Sequence, residues 1–240
     1  MTIQDRNLTL TERQTNILET VEQSGFATIE ALAERFSVSA QTVRRDIIAL
    51  ADAGRLQRFH GGAGPVEQAE AARLDYSAKR NIARPEKQAV GRRAAKLVPD
   101  GATLYLDVGT TIEACAVELA KRPGFTVFTN SMPAAMKFDP AYHQIHLLGG
   151  RMAGRDGSLV GTEVVDRLRN VSLDYALVAC SAIDNEERVM DFDLDKIAIK
   201  QTALQSAHRS LLLATRSKFN RTALAVVAPV EDFHQIISER

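Results

Sequence analysis

The chain has 240 residues, room for one large domain or two modest ones. Apolar residues at 45% and charged residues at 25% are ordinary globular values and exclude wholesale disorder. With 30 basic against 30 acidic side chains the chain is no histone-like polycation, so any nucleic-acid affinity has to come from local placement of charge.

Residues 8–65 read as a short helical unit closed by a hairpin. Thr9 stands three before Glu12 and Thr11 three before Gln14, two capping-box spacings that open a helix with Ile17, Leu18 and Val21 as its apolar stripe and Gly25 as its stop. Thr28 opens a second helix carrying Ile29, Leu32, Ala33 and Phe36. Ser37-Val38-Ser39 is a tight break, and Ser39 caps a third helix with Val43, Ile47 and Leu50 at helical spacing before Gly54 stops it. Leu56–His60 alternates like a strand and Gly61-Gly62 turns it. Helix, helix, turn, helix and hairpin make a winged helix-turn-helix plan.

Residues 66–84 read as a linker. The stretch 73–96 is locally basic, either a solvated helix face or a surface for an anion. From Pro85 helix and strand alternate: a helix to about Val98, a strand Thr103–Val108, a helix through Arg122, a strand Thr126–Thr129, a helix Met132–Phe138, strands Ile145–Leu148 and Asp174–Ser181, a helix Leu194–His208, then strands Leu211–Thr215, Ala223–Val227 and Gln235–Ser238. That alternation predicts a parallel, three-layer α/β domain over residues 85–240.

On the third helix the surface opposite Val43, Ile47 and Leu50 carries Gln41, Arg45 and Asp52, with Thr42 and Arg44 on its flanks. Its N-terminal half is what a recognition helix inserts into a major groove, where Arg reads guanine and Gln reads adenine bidentately. Ser39 and Thr42 suit phosphate at the helix start, and Arg58 and His60 on the wing suit the neighbouring backbone. Asp46 either orients Arg44 or Arg45 or covers the helix surface.

In the second half, Asp107-Val108-Gly109-Thr110-Thr111 ends a strand and starts a helix. Free N–H donors, a positive helix end and two hydroxyls there suit a phosphate or carboxylate, and equally describe a capped turn. Thr129-Asn130-Ser131, Gly149-Gly150 and Lys218 each follow another strand, so all of them meet at one carboxyl edge, where open α/β sheets bind ligands. Lys200 and Arg155-Asp156 are further candidate charges.

Two strings make a resemblance plain. Leu32-Ala33-Glu34-Arg35-Phe36-Ser37-Val38-Ser39 with Thr42-Val43-Arg44-Arg45-Asp46 and Leu50, and then His60-Gly61-Gly62-Ala63, resemble the DeoR family of bacterial transcriptional regulators, with the helix-turn-helix over about residues 27–46. The effector half is similar to the family's sensor domain, itself like sugar-phosphate isomerases, at residues 107–111, 129–131, Gly149-Gly150, Gly161 and Ser217-Lys218-Phe219. The resemblance implies a sequence-specific DNA-binding repressor on operator DNA, and because one winged helix buries too little surface for operator-level affinity a homodimer or homotetramer is expected. It further implies a phosphorylated sugar or polyol effector. Arg155-Asp156-Gly157, Asp191-Phe192-Asp193 and Phe219-Asn220-Arg221 resemble the branch responding to glycerol 3-phosphate. The chain departs from the family pattern at Thr215, where Asp is frequent, and at Asn185-Glu186-Glu187.

Cys115 and Cys180 are too few for a disulfide scaffold, match no zinc spacing and point to a reducing cytoplasm. Residues 1–11 hold no secretory apolar region, and no apolar run approaches the roughly 20 residues of a membrane span. His143, His146, His208 and His234 show no metal-ligand clustering, and Tyr76, Tyr105, Tyr142 and Tyr175 are isolated, so no cofactor or metal is expected. The competing reading is a sugar-phosphate isomerase or deaminase with an accessory head. It needs a positioned acid or base, and Asp107 and Asp184 are the only acids placed near the crevice.

Overall fold

The computed structural model describes residues 10–59, 61–65, 81–153 and 156–239. In it Thr11 opens helix α1 (Glu12–Ser24) through a reciprocal capping box: Gln14 N–H donates to Thr11 Oγ1 at 3.2 Å and Thr11 N–H to Gln14 Oε1 at 3.0 Å. Thr9 lies outside the described residues. Strand β1 (Ala27–Thr28) precedes α2 (Ile29–Arg35), which Thr28 caps. Ser37, in the left-handed region at φ 53°, turns the chain into α3 (Ala40–Asp52), capped by Ser39. Strands β2 (Leu56–Phe59) and β3 (Gly62–Pro65) form the wing hairpin, and β1 adds to β3, giving the order β1-β3-β2. Ile17, Val21, Leu32, Val43, Ile47, Leu50 and Leu56 are buried together. At roughly 1.5–3 kcal/mol per fully buried side chain, this cluster holds the three helices and the wing on one core.

Contacts divide the chain into two compact units, one within residues 1–74 and one within 75–240. Among the described residues of the second, the first helix is α4 (Arg84–Leu97), with Pro85 in its first turn. Then come β4 (Thr103–Leu106), α5 (Thr110–Leu119), β5 (Thr126–Thr129), α6 (Met132–Ala135) and β6 (Gln144–Leu147). A hairpin, β7 (Arg151–Ala153) and β8 (Ser158–Val160), leads to α7 (Thr162–Arg169), β9 (Leu173–Ala179), β10 (Ala182–Ile183) and β11 (Arg188–Asp191). After α8 (Leu194–Gln205) follow β12 (Ala207–Leu213), β13 (Ala225–Pro229) and β14 (Gln235–Ile237).

The main sheet has six parallel strands in the order β14-β12-β9-β4-β5-β6. Helices α4, α5 and α6 cover one face with Val90, Ile112, Cys115, Leu119 and Ala134. Helices α7 and α8 cover the other with Val164, Leu168, Ile197 and Ala203, completing three layers. Parallel strands buried on both faces read as apolar runs, as Leu104–Leu106 of β4 and Tyr175–Ala179 of β9 do.

Several expected elements differ. The late helix stops at Gln205, because Ser206 already leads into β12, whose Ala207 pairs with Leu173. β13 lies at 225–229 instead of 223–227 and joins an antiparallel sheet, β10-β11-β13, outside the main sheet. The hairpin β7-β8, helix α7 and strands β10 and β11 were not expected. Strand β4 ends at Leu106, so Asp107 and Val108 belong to the loop.

Gly91 lies inside α4, where a Cβ would stand 2.7 Å from the backbone of Ala114 and Cys115 on α5. Helix propensity alone favours alanine by about 1 kcal/mol, but backbone atoms cannot give way, and such overpacking costs about 1–3 kcal/mol. Gly91→Ala is therefore expected to lower the urea midpoint, and a raised midpoint would show that α4 and α5 can separate freely.

Candidate functional site

The face of α3 that reads outward is set by what lies beneath it. Asp46 is buried and turned toward α1: it accepts Arg13 Nε at 2.6 Å and Gln14 Nε2 at 3.3 Å. The sequence left Asp46 open between orienting Arg44 or Arg45 and covering the helix; in the fold it does neither and instead clasps α1 to α3. Gln41, Arg44 and Arg45 are exposed, and no hydrogen bond or ion pair among the described residues occupies their side chains. Ser39 Oγ accepts Thr42 N–H at 3.2 Å and meets Thr42 Oγ1 at 2.9 Å, so these hydroxyls first finish the helix. Arg58 is exposed on β2, and His60 lies outside the described residues.

The crevice residues of the second unit gather at the carboxyl edge of the six-stranded sheet. Gly109, at φ 127°, precedes α5 with no side chain capping the helix, so Thr110 and Thr111 stand in its first turn. The N–H groups of Gly109, Thr110 and Thr111 belong to the part of a helix start that lacks intrahelical partners. Asp107 is buried at 1% exposure; its Oδ2 accepts Ala179 N–H at 2.9 Å and the Lys200 ammonium. Lys200, equally buried, also donates to Ala179 O at 2.8 Å and lies 3.4 Å from Asp191 Oδ2. Burial works against the Lys200 charge, but Asp107 and then Asp191 outweigh it and hold the ammonium above its usual range.

Thr129 Oγ1 donates to Leu106 O at 2.6 Å and accepts Ser131 N–H at 3.0 Å. Asn130 accepts the Tyr105 hydroxyl at 2.9 Å and donates to Leu159 O at 2.8 Å. Ser131 caps α6. Thus Asp107 pairs with Lys200, the Tyr105 hydroxyl stands between Asn130 and Asp107, and Thr129 is spent on the backbone at the ends of β4 and β5. Gly150 is needed for closeness: a Cβ there would stand 2.5 Å from Val160 O. Gly149 borders open space, and Lys218 is half-buried in a 3-10 turn after β12. Arg155 lies outside the described residues.

Around the end of β9 the charges share one neighbourhood. Burial pushes the Cys180 thiol up to about 12, opposed by Lys218 and Lys200 and reinforced by Asp191 and Asp107. An open groove of about 130 Å³ adjoins the loop at Thr110, with Arg84, Lys87, Glu113, Glu118 and Lys137 among its lining residues.

Sequence reasoning did not assign Asp191, Lys196 or Tyr105. The signal for two of them was available, since Lys196 and Lys200 stand at i and i+4 on one helix face behind an acidic segment. The acids weighed for proton transfer are both engaged, Asp107 as above and Asp184 by Arg188 Nε at 2.7 Å and two backbone N–H groups. His146 stacks on Phe128 and His143 packs between Phe125 and Phe138. Among the described residues no group of His, Cys, Asp and Glu could hold a metal, and no helix is long and apolar enough to cross a membrane.

Breaking a buried ion pair from one side strands the other charge, at about 3–5 kcal/mol. Asp107→Asn should cost about that much in chemical denaturation, with part recovered in the Asp107→Asn/Lys200→Met double variant; no recovery would show that the pair is not coupled. Burial raises the Asp191 carboxyl, but Lys200, the Ser181 hydroxyl and Phe192 N–H bring it below the ordinary value. The folded state thus binds that proton less readily than the unfolded chain. Its stabilisation is complete above the unfolded value of about 3.9 and is lost as pH falls through the lower folded value. Asp191→Asn should therefore flatten the fall of the urea midpoint below about pH 4.

Comparison with known proteins agrees with these two units. The family model for the DeoR C terminal sensor domain matches residues 82–240, and the model for the DeoR-like helix-turn-helix domain matches residues 13–69. The glycerol-3-phosphate regulon repressor of Escherichia coli K12 is 33% identical over 219 residues, 89% of this chain and 84% of the relative. That of Haemophilus influenzae is 32% identical over 228 residues, 94% and 88% of the two chains. Among solved structures, eIF2B delta from Chaetomium thermophilum superposes with a TM-score of 0.50 at 14% identity, over 88% of this chain and 76% of its own, a likeness of fold alone.

Proposed function

We propose that this chain, which belongs to the DeoR family, is a cytoplasmic, sequence-specific DNA-binding repressor released from its operator by a phosphorylated sugar or polyol, glycerol 3-phosphate foremost. The observation that carries the reading is the outward face of α3. Asp46 spends its charge on Arg13 and Gln14, and Gln41, Arg44 and Arg45 stand exposed at the start of a capped helix. That arrangement suits base edges in a major groove, with Ser39 and Thr42 at flanking phosphates and Arg58 and His60 on the wing at the neighbouring backbone. One winged helix covers too little DNA for operator-level affinity, so a homodimer or homotetramer supplies paired half-sites.

For the effector, the N–H groups of Gly109–Thr111 offer a seat for a phosphate, and Lys218 and Arg155 are cations for its outer oxygens. Asp107, Thr129, Asn130, Ser131, Gly149, Gly150 and Lys200 hold that edge in shape. Two relatives named glycerol-3-phosphate regulon repressor favour this phosphate ester over others. A ligand releases the operator only by favouring one arrangement of the DNA-binding heads, and α4, which follows the basic linker and packs on α5, is the element through which the phosphate seat acts.

Arg45→Ala should cost about 1–3 kcal/mol on the operator and relax base preference at one position per half-site; an equal loss on all sequences would make Arg45 a phosphate contact. Gel shifts on the promoter fragments of the surrounding operon should lose the bound band on adding glycerol 3-phosphate and keep it with glycerol. A band unchanged by glycerol 3-phosphate rejects that effector.

A further inference from the structure

Two lysines one turn apart on α8 meet carboxylates of different standing. The partners of Lys200, Asp107 and Asp191, belong to the body of the domain, and its side chain is 2% exposed. Lys196 is 15% exposed, and its partner Asp156 belongs to the segment between β7 and β8, with Nζ to Oδ2 at 2.7 Å. Asp156 also accepts Ser158 Oγ at 2.6 Å and Ser158 N–H at 3.2 Å.

The hairpin is attached on two sides by different means. Toward β5 the attachment is a net of backbone and amide bonds: Met132 N–H to Gly157 O at 3.0 Å, Leu159 N–H to Asn130 O at 2.8 Å and Asn130 Nδ2 to Leu159 O at 2.8 Å. Toward α8 it is ionic, through Asp156–Lys196 and the exposed Arg151–Asp195 pair at 3.2 Å. In the sheet, β4 lies between β5 and β9, and α8 reaches the ends of β4 and β9 through Lys200. Lys196 acts on Asp191, and Asp191, Lys200 and Asp107 meet in turn, so the Asp156–Lys196 pair joins a charge cluster that ends two residues before Gly109.

Charge decides which attachment yields. Asp107, Asp156 and Asp191 balance Lys196, Lys200 and the neighbouring Lys218, so the cluster carries no spare positive charge. A phosphate monoester brings a further −1.5 to −2, roughly, at neutral pH. Asp107 is held by the buried Lys200 ammonium and Ala179 N–H, and Asp191 by Ser181 Oγ at 2.6 Å and Phe192 N–H at 2.8 Å, so neither is free to turn away. Asp156, 30% exposed, can turn to water. We infer that Asp156 is a built-in stand-in for the effector's anionic group: it occupies Lys196 in the unliganded protein, a phosphate ester takes its place, and the exchange releases the hairpin from α8. The inference rests on the effector reading above and adds Lys196 as a phosphate-binding residue, with Asp156 as its internal competitor. It also makes the site selective for a dianion, because a neutral polyol cannot displace a carboxylate from an ammonium.

Calorimetric titration of the full chain with glycerol 3-phosphate tests this. Asp156→Asn is expected to tighten binding by about two- to fivefold, the scale on which a partly exposed ion pair competes. Lys196→Gln is expected to weaken it by about tenfold or more, and the gain from Asp156→Asn should vanish in the Lys196→Gln background. Amide exchange in residues 156–160 of the wild type should rise on adding the ligand. Wild-type affinity in Asp156→Asn, or a gain that persists without Lys196, overturns the inference. Should Lys196→Gln not fold, Asp156→Asn and the exchange measurement decide the matter by themselves. A wild type that binds no sugar or polyol phosphate overturns the effector reading as well, whereas a wild type that binds and matches Asp156→Asn overturns the stand-in alone.

Discussion

The Lys200 ammonium sits beneath the carboxyl edge of the sheet with almost no access to water, and much of the second unit is arranged around that fact. Taking an ammonium out of water costs several kcal/mol, so the charge persists only where carboxylates and carbonyls surround it. Asp107 after β4, Asp191 at the end of β11 and the Ala179 carbonyl at the end of β9 are those groups. Because Asp107 also accepts the Ala179 N–H, the ends of two neighbouring strands and one covering helix are tied at a single point. The loop from Gly109 to Thr111 starts two residues beyond that point, so its N–H groups inherit a fixed origin.

The head uses the same logic on a smaller scale. Asp46 spends its charge on Arg13 and Gln14 of α1, which anchors α3 and leaves the arginines on either side of its outward face without internal partners. In both units a carboxylate satisfied inside the fold is what keeps cations or N–H groups available outside it. The difference lies in exposure. Gln41, Arg44 and Arg45 on α3 are exposed, whereas Asp107 and Lys200 at the sheet edge are buried.

Much of the architecture is legible in the residues. The stripe Ile17, Leu18, Val21 and the set Val43, Ile47, Leu50 have helical spacing, and their caps at Thr11 and Ser39 announce where the helices begin. Strands β4, β5 and β9 show as apolar runs because they are covered on both faces. Short elements escape: β1 and β10 have two residues each, too few for any period, and owe their existence to partners β3 and β11 brought up by the fold. β13 reads as one more parallel strand, since nothing local distinguishes it from a strand that pairs antiparallel with β11. The end of α8 was overrun because Ser206 and Ala207 are compatible with helix until pairing with β9 claims them.

By itself the sequence determined the two-unit plan, the outward face of α3 and the convergence of loops on one edge of a sheet. All three follow from local periodicity, capping and the rule that parallel strands end together. Only the tertiary structure decided which charges are already spent. Asp107 with Lys200, Asp46 with Arg13 and Asp156 with Lys196 are 93, 33 and 40 residues apart in the chain. A one-dimensional pattern carries no information about partners at such separations. The energy of a charge depends on what surrounds it and on how far it stands from water, and both are properties of the folded packing.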